Sequence, residues 1–142
     1  MHPSAPSAPP APIRCASDAI HLLSLAVNDP LDTETLAFLL DADGIGGVLV
    51  AVDGTLHPDD MLDVVEVMSQ AAGSSPRAES LVVASVRPHS GVLPGDIDRW
   101  LEATDIAELH GIQLVEWYVV GPHGIECPRD LFGEPERWPC RS

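Results

Sequence analysis

The segment from residue 80 to residue 98 limits the possible folds of this chain more than any other part of it. Ser80–Val86 is almost entirely apolar, which is typical of a strand that is buried on both faces. Ser90-Gly91 follows as a loop, and Pro94 is suited to the first turn of a helix. The sequence therefore predicts a central strand that continues through a short loop into a helix.

The rest of the chain alternates between helical and extended patterns. Ser17-Asp18 can cap a first helix, and Asp41–Gly44 can form the turn of an antiparallel hairpin. The predicted elements are a helix over Ala19–Val27, strands over Thr35–Leu40 and Gly47–Val52, a helix from His57-Pro58 to about Gly73, the strand Ser80–Val86, a helix from Pro94 to about His110, and strands over Gln113–Val120 and Ile125–Cys127. This order predicts an α/β protein with a mixed sheet and helices on its faces.

The apolar faces of the two later helices are predicted from their spacing. For the helix that follows Pro58, the face consists of Met61, Leu62, Val65 and Met68. For the helix that follows Pro94, it consists of Ile97, Leu101, Thr104 and Glu108, flanked by Trp100 and Ala107.

The chain has 142 residues, enough for one domain with terminal extensions. Residues 1–16 are rich in Pro, Ala and Ser and are predicted to be a disordered arm, partly polyproline. Residues 17–131 would form the domain. Residues 132–142 would be a polar, loosely docked C-terminal tail, which carries Phe132 and Trp138.

The charge balance argues against nucleic acid and membrane partners. Seven basic and 22 acidic residues give a net charge of −15, so few cations are available to contact phosphates or anionic lipids. Solubility alone explains such acidity, and a functional explanation is a basic protein partner. Homodimerisation remains open.

Cysteine usage and hydropathy indicate a cytoplasmic protein. The chain has an odd number of cysteines, and no two of them are close in sequence, so we expect free thiols and no cysteine metal site. They are Cys15, Cys127 and Cys140. No apolar run approaches the roughly 20 residues of a membrane span. The N-terminus also lacks the pattern of a signal peptide.

The central segment resembles the metal-site segment of the RadC-type branch of the JAB/MPN (JAMM) metallopeptidase-like superfamily. In that family a strand ends in His-x-His-Pro-Ser-Gly, and Pro-Ser-x-x-Asp follows. Ser90-Gly91 and Pro94 match, as do His110-Gly111-Ile112 and Gly54-Thr55. The resemblance covers about residues 35–131 and implies a three-layer mixed-sheet sandwich with the JAB/MPN, cytidine deaminase-like architecture.

The resemblance also implies a zinc ion held by two histidines and an aspartate, with a glutamate as general base. Val86 and Pro88 occupy the two histidine positions, and Val48–Val52 contains no carboxylate. The Asp-His pair of the family is replaced by Glu116-Trp117. We therefore expect a pseudoenzyme without a cofactor, which acts as a protein-interaction or scaffold module.

Two alternatives to this interpretation stay open. The first is a zinc-dependent JAB-type hydrolase with an atypical site, for which His89 and Asp98 are the candidate ligands. The second is an acidic regulatory factor that mimics DNA. For the pseudoenzyme, the expected interaction surface consists of Arg87, His89, Ser90, Asp96, Asp98 and Trp138.

Other motifs are better explained structurally. Asp41-x-Asp43-Gly44 resembles the start of a calcium loop, but Val52 occupies the position of the required twelfth-residue glutamate. Gly44–Gly47 lacks the Lys-Ser/Thr of a phosphate loop. His110 is predicted to assist the C-terminus of a helix.

Overall fold

The computed structural model describes residues 12–46, 49–75 and 77–138, which form four helices and five strands. The helices are α1 (Ala16–Ala26), α2 (Asp60–Gly73), α3 (Asp96–Leu109) and α4 (Pro128–Phe132), and the strands are β1 (Glu34–Leu40), β2 (Val50–Asp53), β3 (Ser80–Val86), β4 (Gln113–Gly121) and β5 (Gly124–Glu126). The predicted order of helices and strands is confirmed, and α4 is an addition to it.

All five strands belong to one mixed sheet, in the order β2-β1-β3-β4-β5. β1 pairs antiparallel with both β2 and β3, whereas β3 pairs parallel with β4. A parallel pair needs a long crossover connection, and α3 supplies it. The predicted hairpin of β1 and β2 is confirmed, although residues 47 and 48 of its second predicted strand lie outside the described residues.

Apolar side chains on the two faces of the sheet form two separate core clusters. One cluster lies between the sheet and helices α2 and α3. The other lies between the sheet and α1. The central strand β3 contributes to both, with Val83 in the first and Val82 and Ala84 in the second. This confirms the prediction from its apolar sequence that β3 is buried on both faces.

Helices α2 and α3 both begin two residues later than predicted. α2 begins at Asp60, whose carboxylate accepts the N–H of His57 over 3.0 Å. α3 begins at Asp96, because Gly95 takes the left-handed conformation with φ of 90° and so ends the preceding turn. Both prolines therefore lie in the turn before the helix and not in its first turn.

The predicted apolar face of α3 is wrong in part. The helix packs Trp100, Ala103 and Ala107 against the sheet, whereas Ile97 and Leu101 remain 37% and 38% exposed. Thr104 is buried as predicted, but Glu108 is exposed. The two alanines present little bulk, so the helix lies close to the sheet, and the indole of Trp100 fills the remaining space.

The C-terminal segment is also packed more tightly than expected. Trp138 is only 5% exposed and belongs to the core cluster beneath α1. Arg137 lies over the ring of Trp100, 4.2 Å from the ring centroid, and donates to Thr104 and to the carbonyl of Leu114. The Arg137 and Trp138 side chains of the predicted tail are therefore packed against the domain, whereas Phe132 is 47% exposed.

The last residues of the predicted N-terminal arm are packed against the domain. Ile13 donates its N–H to the carbonyl of Gly44 over 2.8 Å and packs against the α1 cluster. The domain therefore begins within residues 12–16, and residues 1–11 of the arm lie outside the described residues. No helix in the described ranges is both long and apolar enough to cross a bilayer.

Candidate functional site

A cavity of about 200 Å³ with both polar and apolar lining residues lies at one end of the sheet, where β1 begins and β2 and β3 end. The strand register causes this convergence, because Glu34 at the start of β1 pairs with Asp53 on one side and with Val86 on the other. The loops that follow β2 and β3 therefore meet at the same place. The cavity is lined by residues 33–35, 55–58, 61, 85–90 and 93.

Hydroxyl groups line one side of the cavity. The Thr35 and Thr55 hydroxyls are 2.9 Å apart and join β1 to the loop after β2. The hydroxyl of Ser85 accepts the indole N–H of Trp117 over 2.9 Å. These bonds fix both hydroxyl-bearing strands at the cavity wall.

The loop after β3 is held by an ion pair between Arg87 and Asp96. Two guanidinium nitrogens of Arg87 contact the two carboxylate oxygens at 2.7 and 3.2 Å. Asp96 is fully buried, and the guanidinium also lies 5.7 Å from the centroid of the Trp117 ring. This bidentate pair connects the end of β3 directly to the first turn of α3.

The Asp96 carboxylate accepts two further hydrogen bonds. Its Oδ2 accepts the N–H of Leu93 over 2.7 Å, and its Oδ1 accepts from Arg99 over 2.8 Å. Arg99 in turn donates to Asp59 over 2.7 Å, and this hydrogen bond lowers the pKa of Asp59. Both oxygens of Asp96 are therefore occupied, and the network extends to the start of α2.

Close backbone approach fixes the Ser90-Gly91 turn against β4. A Cβ atom on Gly121, the last residue of β4, would lie 2.7 Å from the carbonyl oxygen of Ser90. A Cβ atom on Gly91 would lie 2.3 Å from a carboxylate oxygen of Glu126. Position 121 therefore requires glycine, because the clash there is with the Ser90 backbone, whereas the clash at Gly91 is with the end of the exposed Glu126 side chain, which can move away.

Glu34 is the unusual group of the cavity. It is 4% exposed, and its Oε2 has no hydrogen-bond partner among the described residues. Burial raises the pKa of Glu34, and the nearby carboxylates of Asp53 and Asp32 raise it further. A carboxyl group in these surroundings is unfavourable for folding, and none of the described residues supplies a cation that compensates it.

The pair Glu116-Trp117 on β4 has a structural role. Glu116 is buried and accepts from the Arg129 Nε over 2.9 Å, which ties α4 to the sheet. Burial raises the pKa of Glu116, and burial together with Glu116 raises that of the neighbouring Cys127 thiol to about 12. Trp117 supports Ser85 and Arg87, as described above.

The six residues predicted to form an interaction surface do not share one environment. Arg87, His89 and Ser90 line the cavity. His89 and Asp98 are exposed, and Asp98 is not among the cavity residues. Asp96 and Trp138 are buried and do not line this cavity, so neither belongs to a contact surface at its rim, which corrects the prediction for these two.

The residues at the cavity do not fit a zinc ion. Val86 is 1% exposed within the α1 cluster, and neither Val86 nor Pro88 carries a side-chain donor. The buried carboxylate at the start of α3 is that of Asp96, and two arginines already neutralise it. Among the described residues, no three histidine, cysteine or carboxylate side chains are grouped as metal ligands.

Glu34 and Thr35 were not predicted to be site residues. The strand pattern indicated only that Thr35 begins an apolar strand, and nothing local distinguishes Glu34 from an ordinary acid before a strand. The register that brings Glu34 beside Val86 depends on pairing over about 50 residues of chain.

No family model matches the sequence, and no curated protein matches it at a significant level.

Proposed function

We propose that the chain is a non-catalytic member of the RadC-type JAB/MPN superfamily, with that superfamily's three-layer architecture, which acts as a protein-interaction or scaffold module. The observation that supports this most is the Arg87–Asp96 pair, whose guanidinium lies 2.7 Å from the buried carboxylate between the end of β3 and the start of α3. In the family that the sequence resembles, a zinc ion would connect these same two elements.

On this proposal a guanidinium takes the place of the metal ion, so the arrangement of β3, the loop and α3 can persist without the metal-binding histidines. A zinc site needs three protein ligands, and a hydrolase also needs a free position on the metal for water. Valine and proline provide no ligand, whereas Arg87 satisfies the buried carboxylate permanently because a guanidinium does not lose its proton. On this proposal the cavity binds a partner and does not use a metal-activated water.

The net charge of −15 favours a basic protein as the partner. The accessible cavity residues Arg87, His89 and Ser90 together with Glu34 form the proposed contact region. This keeps the predicted surface at the rim of the cavity and removes the buried Trp138 from it.

The metal content of the protein separates this proposal from a zinc hydrolase. Protein purified without chelator is analysed by elemental mass spectrometry, as wild type and as His89→Ala. We expect substoichiometric zinc in both. One zinc per chain that is lost in His89→Ala would overturn the proposal and favour a site that uses His89 and Asp98.

A further inference from the structure

We propose that the Glu34 cavity binds the cationic side chain of an arginine or lysine from a basic protein partner. This inference rests on the proposed function and names the chemical group that the interaction site recognises. Glu34 lines the cavity and is 4% exposed, and its Oε2 atom has no hydrogen-bond partner among the described residues.

The charges around the cavity favour a cation over an anion. Asp32 and Asp53 both lie close enough to Glu34 to disfavour its ionised form. The positive charge of Arg87 is already neutralised, because Asp96 accepts two hydrogen bonds from its guanidinium. A cation that pairs with the ionised Glu34 carboxylate would therefore come from outside the described residues.

The histidines of the cavity do not supply that charge. The Nδ1 of His57 accepts the N–H of Asp59 over 3.1 Å and lies 3.7 Å from the Oδ2 of Asp59. His89 is exposed to solvent. Neither ring is a hydrogen-bond partner of the Glu34 Oε2 atom among the described residues.

The size and lining of the cavity suit one side chain. Its volume of about 200 Å³ lies below the roughly 300 to 1,000 Å³ of sites for drug-sized ligands. The hydroxyls of Thr35, Thr55 and Ser85 can accept further N–H groups, while Met61 and Leu93 can contact a methylene chain. Lysine and arginine both combine a methylene chain with several N–H donors.

The test uses short capped peptides as probes. Amide chemical shifts of the 15N-labelled full chain are followed by NMR during titration with Gly-Gly-Arg-Gly-Gly or Gly-Gly-Lys-Gly-Gly. The same peptide with citrulline in place of arginine keeps the shape and removes the charge. We expect saturable shifts at Thr35, Thr55 and Ser85 with the cationic peptides and at least about tenfold weaker binding of the citrulline peptide.

A matched pair of protein variants completes the test. Glu34→Gln keeps the shape of the side chain and should weaken binding of the cationic peptides about tenfold or more. Glu102→Gln removes the same charge from the exposed face of α3 and should leave binding unchanged.

The proposal is overturned by equal binding to the Glu34→Gln variant, by equal binding of the citrulline peptide, by shifts that map away from the cavity, or by no saturable shift at millimolar probe. None of these results changes the expected zinc content. The failure of cation recognition is therefore distinguishable from the failure of the non-catalytic assignment.

Discussion

Glu34 and Asp96 lie near the same end of the sheet and are similarly buried, but their surroundings are opposite. Asp96 accepts hydrogen bonds from Arg87, Arg99 and a backbone N–H. The Oε2 of Glu34 has no partner among the described residues and lies near two further acids. A buried carboxylate with counter-charges holds structure together, whereas one without them costs stability and is available for a ligand.

This contrast predicts that Glu34→Gln stabilises the free protein at neutral pH. Because the folded state raises the pKa of Glu34 above its ordinary 4.5, the folded chain keeps this proton to higher pH than the unfolded chain. Wild-type stability therefore falls as the pH rises from the unfolded pKa through the folded pKa.

Urea denaturation at about pH 4 and about pH 7.5 measures this effect. We expect the stability advantage of Glu34→Gln to be larger at the higher pH, and Glu102→Gln to show no such change. A stability loss in Glu34→Gln that grows with pH would show instead that the ionised carboxylate is paired in the folded state.

At the scale of single elements, side-chain contacts at the start of α3 connect this helix to the sheet. The side chain of Asp96 reaches back to Leu93 of the preceding loop and across to Arg87 of the segment that follows β3. Asp98 lies two residues further along the same helix and is exposed. The two acids therefore offer a matched comparison within one helical turn.

We expect Asp96→Asn to cost about 3–5 kcal/mol in unfolding free energy, because it leaves two arginine side chains without their shared counter-charge. Asp98→Asn should change stability by less than about 0.5 kcal/mol. Chemical denaturation of both variants measures the difference. Equal effects of the two substitutions would contradict the assignment of Asp96 as the connecting residue.

The sequence predicts element types well but predicts contacts poorly, and α3 shows why. Its helical character follows from local spacing. Its C-terminal end was predicted near Gly111, and the structure explains this signal because Gly111 takes the left-handed conformation. Its buried face depends on how closely the helix approaches the sheet, which Ala103 and Ala107 permit. That distance is a tertiary property, and the spacing of Ile97 and Leu101 alone indicated a different face.

The cavity was predictable only in part for a similar reason. Ser90 and Gly91 follow β3 in sequence, so the strand–loop–helix pattern was enough to place them at its end. Glu34 and Thr55 reach the same place through the antiparallel register of β1 with its two neighbours. Long-range strand pairing fixes these positions, and no local pattern contains that information.

At the scale of the whole molecule, the net charge of −15 controls which large partners can approach. Duplex DNA is itself strongly negative, and binding to it depends on counterion release by basic side chains. We expect no saturable binding of the purified protein to duplex DNA at low salt in a fluorescence anisotropy titration. Binding that weakens steeply with added salt would show a basic surface that the charge balance does not suggest.

The central claim is that a guanidinium, and not a metal ion, joins the end of β3 to α3. Thermal unfolding of the apo protein in the presence of zinc or of a chelator tests it directly, because an ion that binds the folded state at 100 times its Kd would add about 2.7 kcal/mol of stability. We predict the same Tm in zinc and in chelator. A Tm that zinc raises by several degrees in the wild type, but not in His89→Ala or Asp98→Asn, would contradict the account.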